Sequence, residues 1–113
     1  MSQQFKFRTY QRVMLCGSGY YLSEYFLGKG TIWDVSSAGW RIQGDHQVRV
    51  GMTLTLRMDL PDEMLPLEVE QATVQWVRGS DFGVRIIKMG KQSAGKLERL
   101  IGEHLRPPHH VGR

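Results

Sequence analysis

Within six residues, Asp34-Val35-Ser36-Ser37-Ala38-Gly39 sets a carboxylate, two hydroxyls and a glycine between two apolar stretches, Thr31-Ile32-Trp33 and Trp40 with Ile42. Asp and Ser in such a place bond to the local backbone, and glycine takes a positive φ without steric cost. The simplest reading is a connector between two strands. A second cluster lies upstream, where Arg8-Thr9-Tyr10-Gln11-Arg12 carries two guanidinium groups four residues apart. If the fold brings both stretches together, a carboxylate and hydroxyls stand beside two forked cations. That set suits a ligand carrying both phosphate and guanine.

The other reactive side chains point to no chemistry of their own. His46 sits in a polar loop, His104 on a helix, and His109 with His110 near the end, none at the spacing of a metal site. Cys16 lies in a strand with no base nearby in sequence, which suits an inert thiol rather than a nucleophile. Asp62 and Glu63 follow Pro61 in a turn, and the Gly28-Lys29-Gly30 triplet lacks the following helix of a phosphate loop. An enzyme is not expected.

The elements that must position the two clusters are short and mostly extended. Val13 to Cys16 reads as a strand closed by a Gly17-Ser18-Gly19 turn, and Tyr20 to Leu27 as a second strand ending at Gly28-Lys29-Gly30. Thr31 to Asp34 and Trp40 to Ile42 flank the Asp-Ser turn, and Gly44 to Gly51 reads as a loop. Thr53 to Met58 alternates, with Leu54, Leu56 and Met58 on one face. After a turn at Leu60 to Glu63, Leu67 to Val77 is expected to hold one phase through Ala72, Val74 and Trp76, with Val69, Gln71, Thr73 and Gln75 opposite. Arg78-Gly79-Ser80-Asp81 reads as a hairpin turn before Phe82, Val84 and Ile86. One helix follows. Leu97, Leu100, Ile101 and Leu105 fall on one face, Ser93 is the expected N-cap, and Pro107-Pro108 ends it. Strands at this spacing indicate an antiparallel barrel or sandwich, and the helix must bury its leucines against an end or flank. A small barrel with one C-terminal helix is the expected fold.

Composition is consistent with one domain, expected as a flexible arm over 1–12, a body over 13–105 and a disordered tail over 106–113. At 113 residues and 41% hydrophobic, the chain can bury a core without metal or disulfide, and its single cysteine suits a reducing, cytoplasmic setting. No apolar run is long enough for a bilayer helix, so no membrane insertion is expected. The net charge of +4 favours anionic partners, and Lys6, Arg8 and Arg12 all precede the first acid, Glu24. Phe5, Phe7 and Tyr10 interleave with these cations and could stack on guanidinium groups or bases.

The order of these features resembles the PilZ family. Arg8 and Arg12 stand for its Arg-x-x-x-Arg pair, Asp34, Ser36 and Gly39 for its Asp-x-Ser-x-x-Gly motif, and Phe82-Gly83-Val84-Arg85 for a run near its end. Ala72-x-Val74-x-Trp76 looks like its penultimate strand, and the likeness runs from about Phe7 to the helix. The resemblance implies a six-stranded antiparallel β-barrel with a flanking helix and a bacterial receptor for cyclic di-GMP. Arg8 and Arg12 would close over the ligand from the arm, their forks bonding phosphate oxygens or guanine O6 and N7. Asp34 would accept from the guanine N–H edge, Ser36 would donate to phosphate or base, and Gly39 would admit a close backbone approach. The family often has a further arginine beside the first, where this chain has Phe7 or Thr9. Trp40 is bulky for its place and is expected in the core. Two other readings remain open: a PilZ-like adaptor that binds a protein without using the ligand, or an OB-like binder of single-stranded nucleic acid. A downstream protein partner is expected, and a nucleic-acid polymer is not.

Overall fold

The computed structural model describes residues 13–60 and 64–105. The expected arm over 1–12, the Pro61-Asp62-Glu63 turn and the tail over 106–113 lie outside the described residues. Six strands, β1 (Val13–Leu22), β2 (Leu27–Val35), β3 (Gly39–Gly44), β4 (Thr53–Met58), β5 (Leu67–Arg78) and β6 (Asp81–Lys88), precede the helix α1 (Lys91–Leu105). They close into an antiparallel barrel in the order β1-β2-β3-β6-β5-β4. β1-β2-β3 and β4-β5-β6 are each a meander, and the β3–β6 and β1–β4 pairings join the two. This is the expected architecture.

The core follows the alternation where alternation is unbroken. Leu54, Leu56 and Met58 point inward from β4 and share the core with Trp40, Ile42, Phe82 and Val84 from the opposite wall. Trp40 is buried, as expected. From α1, Leu97 joins the core while Leu100 and Ile101 pack partly against it, and the helix rests on β5 and β1.

Two expected turns are strand instead. β1 runs on through Gly17-Ser18-Gly19 and β2 through Gly28-Lys29-Gly30, and the chain reverses at Ser23–Phe26, where Ser23 N–H donates to Phe26 O. These glycines serve packing. A Cβ on Gly28 would fall 2.3 Å from the Tyr21 ring and one on Gly44 2.1 Å from its hydroxyl oxygen, so two glycines make room for one buried aromatic. The Tyr21 hydroxyl caps that packing by donating to His46 O and accepting from His46 N–H, both at 2.7 Å.

β5 does not hold a single phase. Its pairing shifts between Gln71 and Ala72 and again between Val74 and Trp76. Val69, expected outside, is therefore buried with Leu67, and Trp76, expected in phase with Val74, turns to the outer wall at 38% exposure. At α1, the expected N-cap moves as well. The helix begins at Lys91, with Gly90 O accepting from Ala94 N–H, while Ser93 Oγ accepts from Glu68 N–H and ties the helix to β5. The two-residue β5–β6 loop is as expected, with Gly79 at a φ of 63°.

Candidate functional site

The Asp-Ser stretch forms the β2–β3 turn. Ser36 N–H donates to Gly39 O, and the Ser36 hydroxyl, buried at 1% exposure, donates to the same carbonyl and accepts from Ala38 and Gly39 N–H. Ser36 thus spends its hydrogen-bonding capacity inside the turn. Gly39 has no positive φ; its glycine is required because a Cβ would stand 2.3 Å from Val84 O on the neighbouring β6. Close strand approach replaces the conformational reason expected from sequence.

A bulge aims Asp34. Ile32 pairs with Ile42 and Asp34 with Arg41, so Trp33 is an extra residue in β2. Strict alternation would give Asp34 the inward phase of Ile32; the inserted residue places it instead beside outward-facing Arg41. Arg41 Nε lies 3.4 Å from Asp34 Oδ2, with the carboxylate side chain 12% exposed. The register then carries one row across four strands, from Asp34 to Arg41 to Gly83 to Trp76. Gly83 is the floor of that row. A Cβ there would collide with the Trp76 indole at 2.0 Å, so the ring lies over bare backbone.

Around this row the outer wall opens into a shallow cleft of about 450 Å³, lined by Asp34, Gly39, Arg41, Gln75, Trp76 and Arg85 among others. The Arg41 guanidinium lies 5.9 Å from the Trp33 ring and that of Arg78 5.9 Å from the Trp76 ring, within reach of a cation–π attraction. Cationic forks, an acceptor and an indole on one face can bind a planar anionic ligand. Of the residues singled out from sequence, Asp34, Ser36 and Gly39 come together here, while Arg8 and Arg12 lie outside the described residues. Arg41, Trp76 and Arg85 join the cleft although none of them is among the ligand-binding residues expected from sequence. For Trp76 the signal is hidden by the register shift between Val74 and Trp76, and the same shift alone sets Gly83 opposite it.

A larger cleft, about 650 Å³, opens near the β1–β2 turn and contains none of the sequence-selected residues. Among the described residues no group of three or more His, Cys, Asp or Glu is placed to hold a metal, and no helix is long and apolar enough to cross a membrane.

The chain is thus a closed barrel with a trailing helix and, on its wall, a cleft lined by charged and aromatic side chains. The family model for the PilZ domain matches residues 6–103, and the chain belongs to the PilZ family. That family comprises cyclic di-GMP receptors, and its domains are regulatory binding modules rather than enzymes. No curated protein matches the sequence significantly. Among solved structures the chain is similar to the Bacillus subtilis inhibitor of motility MotI/DgrA, with a TM-score of 0.67 at 16% identity over 88% of this chain and 53% of that one. It is also similar to the PilZ domain of CeSA from a cellulose-synthesizing bacterium, with a TM-score of 0.65 at 13% identity over 82% of this chain and 96% of that one. The chain spans about half the length of the first. At such identities the likeness concerns the fold.

Proposed function

We propose that this protein binds cyclic di-GMP on the outer wall of the barrel at the Asp34 cleft, and relays binding to a downstream protein in the bacterial cytoplasm. One observation carries the reading: in a chain that matches the PilZ model over 6–103, Asp34 and Gly39 line one open cleft together with Arg41 and Arg85. Arg8 and Arg12 supply the forked contacts to phosphate or guanine, and Asp34 accepts from the base edge. Ser36 and Gly39 act on the ligand through the turn that they hold, which sets where Asp34 stands. Ligand phosphates draw residues 1–12 onto the cleft, an ordering step that changes what the arm covers. No resident cofactor takes part.

Calorimetric titration with cyclic di-GMP tests this directly. Saturable binding is expected, and weaker binding of cyclic di-AMP. Removing either arm arginine costs about 2–5 kcal/mol if its contact is desolvated, hence well over tenfold in affinity. Arg8→Lys should keep the charge and still lose affinity, because the fork geometry is gone. Arg12→Ala binding as tightly as the parent would refute the role of the arm. Tight binding of single-stranded RNA with no cyclic di-GMP heat would overturn the assignment altogether.

A further inference from the structure

The barrel wall opposite the Asp34 cleft carries a second surface. In the strand order, the β1–β4 pairing lies across the barrel from β3–β6. From β1, β2 and the loops beside them, Tyr20, Leu22, Tyr25, Leu27 and Val50 stand out into solvent, at 37%, 48%, 82%, 58% and 65% exposure. Leu22 and Leu27 are register partners at the hairpin end, so their side chains adjoin. Together the five expose on the order of 600 Å² per chain, close to the ~800 Å² per partner of a standard interface and at the top of what an unpartnered monomer usually shows.

We infer that this wall is the contact between two copies of the chain, related by a two-fold axis. Three features select a second copy as the occupant. The first is shape. Leu22, Val50, Met52 and Leu54 line the 650 Å³ cleft, and Tyr25, the most exposed of the five, stands on its rim. A protruding ring and a hollow on the same surface are self-complementary, as an isologous contact requires. The second is charge. Glu24 and Arg49 line the same cleft, and neither has a hydrogen-bond or ion-pair partner among the described residues. In a two-fold contact where Glu24 of one copy meets Arg49 of the other, the reciprocal pair forms as well. The third is exclusion of the alternative wall. Arg41, Arg78 and Arg85 all emerge on the Asp34 side, so two copies meeting there would face like charge. Association through β1–β4 leaves both Asp34 clefts open on the outside of the dimer. The inference does not depend on what those clefts bind.

Sedimentation velocity on the full chain, from low micromolar to submillimolar concentration, tests it. The expected result is a reversible monomer–dimer equilibrium that Leu22→Glu and Tyr25→Glu each weaken at least tenfold. Glu24→Arg and Arg49→Glu should each weaken it, and the double exchange should restore it, which a general loss of stability would not do. Thermal melts and the nucleotide titration keep folding and ligand binding in view as separate readouts. A parent that is monomeric at every concentration overturns the inference and leaves the surface to a different protein. A dimer indifferent to Leu22→Glu, or not rescued by the double exchange, overturns it equally.

Discussion

Replacing Gly39 by alanine adds one methyl group at the point where β3 meets β6. The new Cβ would lie 2.3 Å from Val84 O and 3.4 Å from Val84 C. An ordinary carbon–oxygen contact is about 1 Å longer than the first of these, and the obstacle is backbone, so no side-chain rotation relieves it. The strands must separate at their ends. The hydrogen bond from Ile86 N–H to Ala38 O, 2.8 Å long, closes the pairing beside that point and is the first to stretch. Overpacking of this kind costs about 1–3 kcal/mol, and the loss of a hydrogen bond adds about 1 kcal/mol. A total of about 2–4 kcal/mol should lower the melting temperature by on the order of 10 °C in a domain of this size. Circular dichroism melts and urea titrations of Gly39→Ala against the parent measure it. Because Gly39 also lines the Asp34 cleft, cyclic di-GMP affinity should fall at temperatures where the variant is still folded. An unchanged melt would refute the argument that backbone contact, rather than turn conformation, demands glycine here.

Ser36→Ala removes a buried hydroxyl that one carbonyl and two N–H groups use, and should cost about 1–3 kcal/mol in urea unfolding. Tyr21→Phe leaves His46 N–H and C=O without that partner in a part-buried position and should cost a similar amount, about 1–3 kcal/mol, with the fold retained. Burial raises the Tyr21 hydroxyl above its ordinary value of 10.0, so the neutral form belongs to the fold. Its stabilisation is complete below pH 10.0 and is lost as pH climbs through the higher folded value; urea midpoints at alkaline pH should fall more steeply in the parent than in Tyr21→Phe. Gly95 lies inside α1 with no positive φ, and nothing beyond its own stretch of helix comes within 4 Å of where an alanine methyl would stand. Gly95→Ala should therefore raise stability by about 0.5–1 kcal/mol in the same assay.

The sequence made the barrel legible through β4, where Leu54, Leu56 and Met58 alternate without interruption, and through the Gly79 loop, where hairpin chemistry is local. It made the β2–β3 turn legible for the same reason, since Ser36 bonds to its near neighbours in the chain. What it hid depends on contacts between distant residues. Gly28 and Gly44 look like turn formers until the Tyr21 ring is seen to occupy the space beside both. The outward aim of Asp34 rests on Trp33 as an inserted residue, and nothing in the local pattern distinguishes a bulged tryptophan from a paired one. Trp76 leaves its expected phase for the same cause, since the pairing of β5 shifts between Val74 and Trp76. Arg41 and Arg85 are ordinary surface arginines in sequence and become cleft residues only through pairing with Asp34 and Gly39.

The pairing of β3 with β6 has a consequence for how binding competence arises during folding. Asp34 and Arg41 come from the first meander, Trp76 and Arg85 from the second, and each meander is built from neighbouring hairpins that can form early. The cleft exists only after the two have docked. A nucleotide held there would straddle the junction and brace it, so occupancy should act on the late, long-range step of assembly and leave the early hairpins indifferent.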